Sequence, residues 1–470
     1  MAASESGARV LVLEKAPREM RGGNTYFTGA AYRFPYHGVA DIQELIPDLS
    51  EAESDSVDVG SYSEDEFRDD LVRVSDGQAN QHLVGALVEN AFPTMLWLRE
   101  RGLRWVLMYG RQSFAMDGVR RFWGGLIVEA VGGGEGLSDG LFTAAERDGA
   151  EVWYGSGATE LLVGDNGGVR GVRVEREGSI DDVSSDAVVL ACGGFEASEE
   201  MRVRHLGPEW AKAKVRGTEF NTGAGIQMAL AAGAARQGDW GGCHAVAWDL
   251  NAPPYGNRRI ADLYQKHSYP LGITVNVDGE RFIDEGADFR NYTYAKYGRE
   301  ILNQPQGVAF QLFDAKVETL LRDEYRITQV TKVASSSLDD LADTLGIDSG
   351  GLARTVRNFN ASVRADEFDP TRLDGKCTEG IDPAKSNWAQ PIDTSPYLGY
   401  AVTCGITFTY GGLQINANAQ VLAEDGGPIP GLYAAGELVG GLYYGNYAGG
   451  TGLMEGAVFG RIAGAAASSP

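Results

Sequence analysis

The chain holds 470 residues, 43% hydrophobic and 23% charged, a balance with ample material for a core, which excludes wholesale disorder. It carries 65 Asp and Glu against 41 Lys and Arg, a net charge of −24, and only 9 of the basic residues are Lys. That field excludes a sequence-independent nucleic-acid binder and argues against docking on an anionic bilayer.

The length predicts two or three folding units. An acidic, Lys-poor surface suits an ordinary soluble enzyme, or one kept soluble in high salt. Residues 2–7 read as the last turn of a helix closed by Gly7. Residues 10–13 (VLVL) then form a short apolar run ending at Glu14, the pattern of a buried parallel strand. A helix end feeding straight into a buried strand implies a strand–helix unit upstream of Met1. Residues 64–101 carry amphipathic helical material closed by Gly102, and 151–174 alternate like a hairpin around the turn at 165–168. Residues 186–194 (DAVVLACGG) read as a second buried strand running into glycines, followed by a helix pattern over 222–233. The stretch 239–407 mixes Pro, Tyr and Asn with short strands and with helices at 338–345 and 351–364, so it reads as a smaller α+β unit. Residues 431–436 (GLYAAG) make a third strand-to-glycine unit, and a small-residue helix begins near 449.

Strand-to-glycine units at both ends with an insertion between them give a split α/β nucleotide-binding domain, predicted over 1–238 and 405–470, with 239–404 inserted. Cys192, Cys243, Cys377 and Cys404 form no CxxC pair and no metal-ligand spacing, so no metal is expected and the thiols read as reduced and intracellular. The N-terminal segment lacks an apolar signal core, and no run of about 18 apolar residues exists. The expected location is cytoplasmic, without membrane insertion.

Four motifs carry the chemistry. Glu14, at the end of the first strand beside Lys15, is placed to accept hydrogen bonds from a ribose, or else is a surface acid. Gly22, Gly23, Asn24 and Thr25 offer adjacent backbone N–H groups and a hydroxyl to phosphate oxygens, or else form a plain turn. Gly193 and Gly194 open room at the carboxyl end of the second strand. Gly436 and Glu437 end the third, and Gly450, Thr451, Gly452 and Leu453 would turn helix N-terminal N–H groups toward a polar ligand edge. Each motif is weak alone; the ordered set is strong.

With GGNTYFTGAAYRF, TEFNTGAGIQMAL, GERFIDEGADFRNYTYAKYGRE, AKSNW, YAVTCGITFTYGGL and IPGLYAAGELVGGLYYGNYAGGTGL in place, the chain resembles the FAD-dependent flavoproteins of fumarate reductase and succinate dehydrogenase. NYTYAKYGRE and AVTCGITFTYGGL point within them to the tricarballylate dehydrogenase group. The resemblance implies a Rossmann-like FAD-binding domain with an inserted capping domain. FAD would meet Glu14 at its adenosine ribose, Gly22–Thr25 near its diphosphate, Gly436 and Glu437 along the ribitol, and Gly452 and Leu453 by the isoalloxazine. Three departures stand out. The family's first strand and its GxGxxG loop are absent from this chain. Its TGDG segment reads Thr222, Gly223, Ala224, Gly225, and its substrate-clamping Arg is replaced by Tyr447.

The resemblance also implies a reaction, removal of two hydrogens from adjacent carbons of a small polycarboxylate. Arg290 matches the family's proton-transfer Arg, with Asp284, Glu285 and Asp288 near in sequence. His244 matches its substrate-binding His and is grouped here with Arg290 as catalytic. His267, Arg258, Thr407 and Tyr447 are candidate donors to substrate carboxylates. Lacking haem and iron–sulfur motifs, the chain needs an external electron acceptor, for which the family implies a membrane iron–sulfur protein. Tricarballylate oxidised to cis-aconitate is the leading expectation. A fumarate- or urocanate-type enoate reductase, a ketosteroid dehydrogenase-like flavoenzyme, and an FAD-free remnant of the fold remain alternatives.

Overall fold

A computed structural model describes residues 1–468. The opening helix is a single turn, Ala2–Glu5, packed on the C-terminal helix Thr451–Ala467. The strand Leu11–Leu13 pairs in parallel with Glu151–Trp153, and the two form a separate two-stranded sheet. Val188–Leu190 pairs in parallel with Pro428–Ala434, whose other edge takes Gln420–Leu422 antiparallel. The short apolar runs thus become parallel strands, but not buried ones: Leu11–Leu13 is half-buried throughout and Val189 is exposed, because each of these two strands has only one neighbour to cover it. They fall into two sheets, and among the described residues no strand joins them.

The helical stretch divides into Glu64–Val74 and Gln81–Glu100, because Asp76 and Gly77 between them take positive φ. Ser63 and Glu66 make a reciprocal cap at the first of these, and Asn80 caps the second. The second runs through Pro93 unbroken. The hairpin-like stretch is a three-stranded antiparallel meander, Ser156–Val163, Val169–Arg176 and Ser179–Ser184. The third strand is polar and mostly exposed, so it carried no alternation to read.

A six-stranded sheet builds the middle of the molecule around the long strand Tyr397–Thr409. Cys243–Asp249 and Ala309–Phe313 pair with it antiparallel, and Lys214–Val215 pairs with Gly405 and Ile406 in parallel. Tyr397–Thr409 therefore runs through position 404, where the sequence suggested a boundary. Its partners are Lys214–Val215, which precedes position 239, and Cys243–Asp249, Ala309–Phe313 and Val333–Ser335, which lie within 239–404. All seven residues of Cys243–Asp249 are buried, as are eleven of the thirteen positions of Tyr397–Thr409, a run that faces core on both sides. Among the described residues no helix is long and apolar enough to cross a membrane.

Candidate active site

The central sheet sets the first two residues. His244 lies opposite Phe408 across a bulge, and its ring stacks on Phe408 at 5.2 Å. The same imidazole meets Tyr294 and Tyr447 edge-on, each at 4.9 Å. His267 approaches Tyr294 at 4.8 Å, so the two imidazoles flank one tyrosine. Both are almost fully buried. Nδ1 of His244 and both ring nitrogens of His267 have no protein partner. Burial drives both pKa values well below the ordinary histidine value, assisted by Arg216 at His244, and by Arg290, Arg216 and Arg322 at His267. Both are neutral at pH 7.

Their neutrality has a measurable cost in acid. The unfolded chain takes up a proton on each His near pH 6.5, and the folded chain does not, so stability falls as pH drops below 6.5. The slope is about 1.4 kcal/mol per pH unit per buried imidazole. His267→Gln should therefore lose about 1 kcal/mol less than the wild type between pH 6.5 and 5.5, where the unfolded imidazole is only partly protonated, read from urea midpoints. Equal losses would mean that His267 titrates normally.

Arg290 begins a short 3₁₀ turn, Arg290–Tyr292, held by the helix Tyr294–Leu302 that follows. Its guanidinium donates to Gln112 Oε1 at 2.5 Å and lies 5.4 Å from the Tyr294 ring. The acids near it in sequence are engaged elsewhere. Glu285 binds Arg281, Asp288 binds Arg73, and Asp284 accepts from Ser386. Burial lowers the pKa of Arg290, with Arg111 adding repulsion.

The structure adds cations that the sequence reading passed over. Arg216 is 8% exposed and donates to Thr407 Oγ1 at 3.2 Å and Gln265 Oε1 at 3.3 Å, while its Nε has no partner. Arg111 grips Asp262 through two hydrogen bonds of 2.5 and 3.1 Å. Arg322 is half-buried; burial and the field of Arg290 push its pKa down to about 9. Asp262 serves Arg111 directly and Arg216 at 4.0 Å. Among the described residues, neither Arg290 nor Arg322 has a carboxylate within 4.0 Å. Arg216 stands two residues before the singled-out segment TEFNTGAGIQMAL, just outside it. Nothing in the local pattern marks Arg322.

Other candidates are placed differently. Arg258 lies over the Tyr26 ring at 3.3 Å and donates to the Arg21 carbonyl, apart from the histidine–arginine cluster. The Tyr447 hydroxyl accepts from Gly452 N at 2.9 Å, so it caps the helix Thr451–Ala467, while its ring faces His244. Thr407 has its hydroxyl on Arg216 and its carbonyl on Asn24.

The glycine motifs form a second group. Glu14 accepts from Ala16 N at 2.8 Å and Gly22 N at 3.5 Å, which folds the turn that follows the first strand. Lys15 Nζ reaches Thr222 Oγ1 at 3.4 Å. Gly22 takes φ +104°, where a Cβ would also overlap Ser138, so only glycine fits. Gly23 beside it faces open space, and the carbonyl of Thr25 accepts from the Thr28 hydroxyl. Asn24 donates to Glu196 Oε1 at 2.7 Å and to the Thr407 carbonyl at 2.8 Å. Asn221 bridges Glu196 and Glu437 at 2.8 and 3.2 Å. Glu437 also accepts from Thr409 N at 2.9 Å, and a Cβ at Gly194 would overlap both residues. Burial raises the pKa of both carboxyls, and their mutual repulsion raises that of Glu437 further. Gly193 follows the strand Val188–Leu190, Gly436 follows Pro428–Ala434, and Gly450 precedes Thr451, Gly452 and Leu453 at the start of the last helix.

A family profile described as FAD binding domain matches residues 1–453. The chain belongs to the FAD-binding domain family. FAD is therefore its cofactor, and the residues present fit it. Two parallel strands deliver glycines and a helix N-terminus to one region, and the buried Glu196 Oε2 and Arg216 Nε lack protein partners there and at the adjoining cluster. The chain is 28% identical over 473 residues to the NADH:fumarate oxidoreductase of Klebsiella pneumoniae (strain 342), covering 98% of this chain but 45% of that protein. It is 27% identical to the urocanate reductase of Eggerthella lenta, covering all of this chain and 72% of that one. A flavocytochrome c3 fumarate reductase in its open conformation superposes with a TM-score of 0.72 at 26% identity, over 99% of this chain and 75% of that one.

Proposed function

We propose that this flavoprotein is an oxidoreductase acting on the CH–CH bond of a small polycarboxylate, with tricarballylate oxidised to cis-aconitate. One observation carries the reading: in a chain of net charge −24, Arg290 and Arg322 line one pocket, half-buried and without a carboxylate partner among the described residues, beside His267, whose two ring nitrogens have no protein partner. Buried charges are normally paired, so an uncompensated cation cluster fits an anionic ligand. A steroid would leave the cluster unneutralised.

Each side chain has a definite task. Arg216 is oriented by Thr407 and Gln265, which leaves its Nε–H edge for a substrate carboxylate. His244 and His267, held neutral, offer hydrogen bonds without further charge. For oxidation Arg290 must first pass its own proton to solvent, a loss that its lowered pKa eases, and the neutral guanidine then accepts the proton from the carbon alpha to a carboxylate; in the reverse direction the guanidinium donates it. Phe408 and Tyr447 pack ring to ring against His244, Tyr443 packs behind them on both, and together they shield that wall from water. FAD, when bound, supplies the acceptor for the hydrogen that leaves the neighbouring carbon with its electron pair. In this scheme 1–238 and 405–470 hold the cofactor, 239–404 cover the substrate, and a separate protein, such as a membrane iron–sulfur protein, takes the electrons. The reaction is placed in the cytoplasm.

The resemblance to proteins named as fumarate and urocanate reductases supports a second direction, reduction of an enoate. One anaerobic experiment separates the two. Tricarballylate added to the oxidised flavoprotein is expected to bleach its absorbance within seconds. An unchanged spectrum, together with rapid reoxidation of dithionite-reduced protein by fumarate or urocanate, would replace the dehydrogenase reading with the reductase one.

A further inference from the structure

Beyond the cluster around His244 lies a pocket whose lining includes two cations, Arg290 and Arg322, with His267 and the neutral polar side chains of Gln112, Ser268 and Asn291. Its wall is a run of rings: Phe114 stacks on Trp123 at 5.2 Å and 2°, Trp123 meets Phe289 at 6.2 Å, and Phe289 meets Trp388 at 5.8 Å. Arg322 is fixed at its backbone, where its N–H donates to Ser268 Oγ at 3.1 Å. Its guanidinium has no carboxylate within 4.0 Å among the described residues, although Glu324 contributes an attractive field and Arg290 and Arg111 oppose it. His267 is 2% exposed, lines the same pocket, and has two unpartnered nitrogens.

We propose that Arg322, with His267, receives the substrate carboxylate remote from the bond being oxidised, making it the residue that selects a tricarboxylate over a dicarboxylate. The inference rests on the function proposed above and names its third anion site. Sequence reading offered Arg258 for that task, but Arg258 is spent on Tyr26 and Arg21. The ring wall shields one side of the pocket, so a guanidinium–carboxylate contact there is screened less than one in open solvent. A dicarboxylate engaging Arg216 and Arg290 would leave Arg322 unneutralised.

The test compares wild-type holoenzyme with Arg322→Gln and Arg322→Lys, using tricarballylate and succinate in steady-state kinetics and in titration calorimetry of the oxidised protein. For tricarballylate, Arg322→Gln is expected to raise KM and the calorimetric Kd by 10- to 100-fold, with kcat within threefold. Arg322→Lys, which keeps the charge, should recover part of the loss. Values for succinate should move less than twofold. Equal losses for both acids, or a fall in kcat alone, would overturn the assignment and make Arg322 a support for Arg290. Should neither acid be turned over while tricarballylate still binds in an Arg322-dependent way, the reaction is wrong and the subsite stands. Absence of tricarballylate binding to the wild type would sink both.

Discussion

Arg290→Ala is expected to lower turnover by about 10³–10⁴-fold while the protein keeps its full complement of flavin. The size follows from the role: a positioned acid–base group contributes about 10²–10⁴-fold, and removal of its charge from a carboxylate site adds to that. Flavin retention follows from geometry. The partners of the Arg290 guanidinium are Gln112 and the face of Tyr294, and the glycine motifs 22–25, 193–194, 436–437 and 450–453 contribute none of them. Gln112 is 1% exposed and its carbonyl oxygen fixes one end of the guanidinium, so Gln112→Ala should give an intermediate loss in kcat with little change in KM. Flavin absorbance per chain and single-turnover bleaching are the two readouts. Loss of flavin together with activity would show that Arg290 supports the fold.

How much of this was legible in the sequence depends on the range of the interaction. Strands 188–190 and 428–434 were readable because an apolar run leading into glycine is a local signal, and 11–13 because an apolar run closed by Glu14 is another. The histidines His244 and His267 were readable as chemistry, and the fold brings both against Tyr294. What could not be read is pairing. Arg258 and Arg322 look alike as single letters. One lies over Tyr26, more than 200 positions away, and the other enters a pocket beside Arg290. The acids 284, 285 and 288 seemed natural neighbours of Arg290 by proximity in sequence, yet each is claimed by a partner elsewhere in the fold. Glu196 was invisible for the same reason: its meaning comes from Asn24, Asn221 and Glu437, residues from three distant segments. Even the boundary at 404 looked reasonable from composition, while hydrogen bonding runs through it in one thirteen-residue strand.

The largest effect on stability is expected from Arg33→Met. Arg33 is fully buried. Its Nε donates to the Gly449 carbonyl at 2.9 Å, and NH1 reaches the Tyr62 and Tyr292 hydroxyls at 3.0 and 3.2 Å and Asp70 Oδ2 at 3.4 Å. Burial alone would lower its pKa, but Tyr292, Tyr62 and Asp70 outweigh that and raise it, so the group stays charged throughout the usable pH range. Met matches its length yet returns none of these bonds, and it leaves Asp70 in a site only 14% exposed. Breaking a buried, hydrogen-bonded pair from one side costs about 3–5 kcal/mol. Arg73, also bound to Asp70 but half exposed, supplies the contrast: Arg73→Met should cost under about 1 kcal/mol. A functional consequence follows from the backbone. Arg33 holds Gly449 through its side chain and Gly450 through its own N–H at 3.3 Å, and those residues lead into the helix Thr451–Ala467. Losing that anchor frees the last glycine motif, so Arg33→Met should release FAD on gel filtration under conditions where Arg73→Met retains it. Urea midpoints for the two variants within 1 kcal/mol of each other would show that Asp70 and the tyrosines hold the site without the cation.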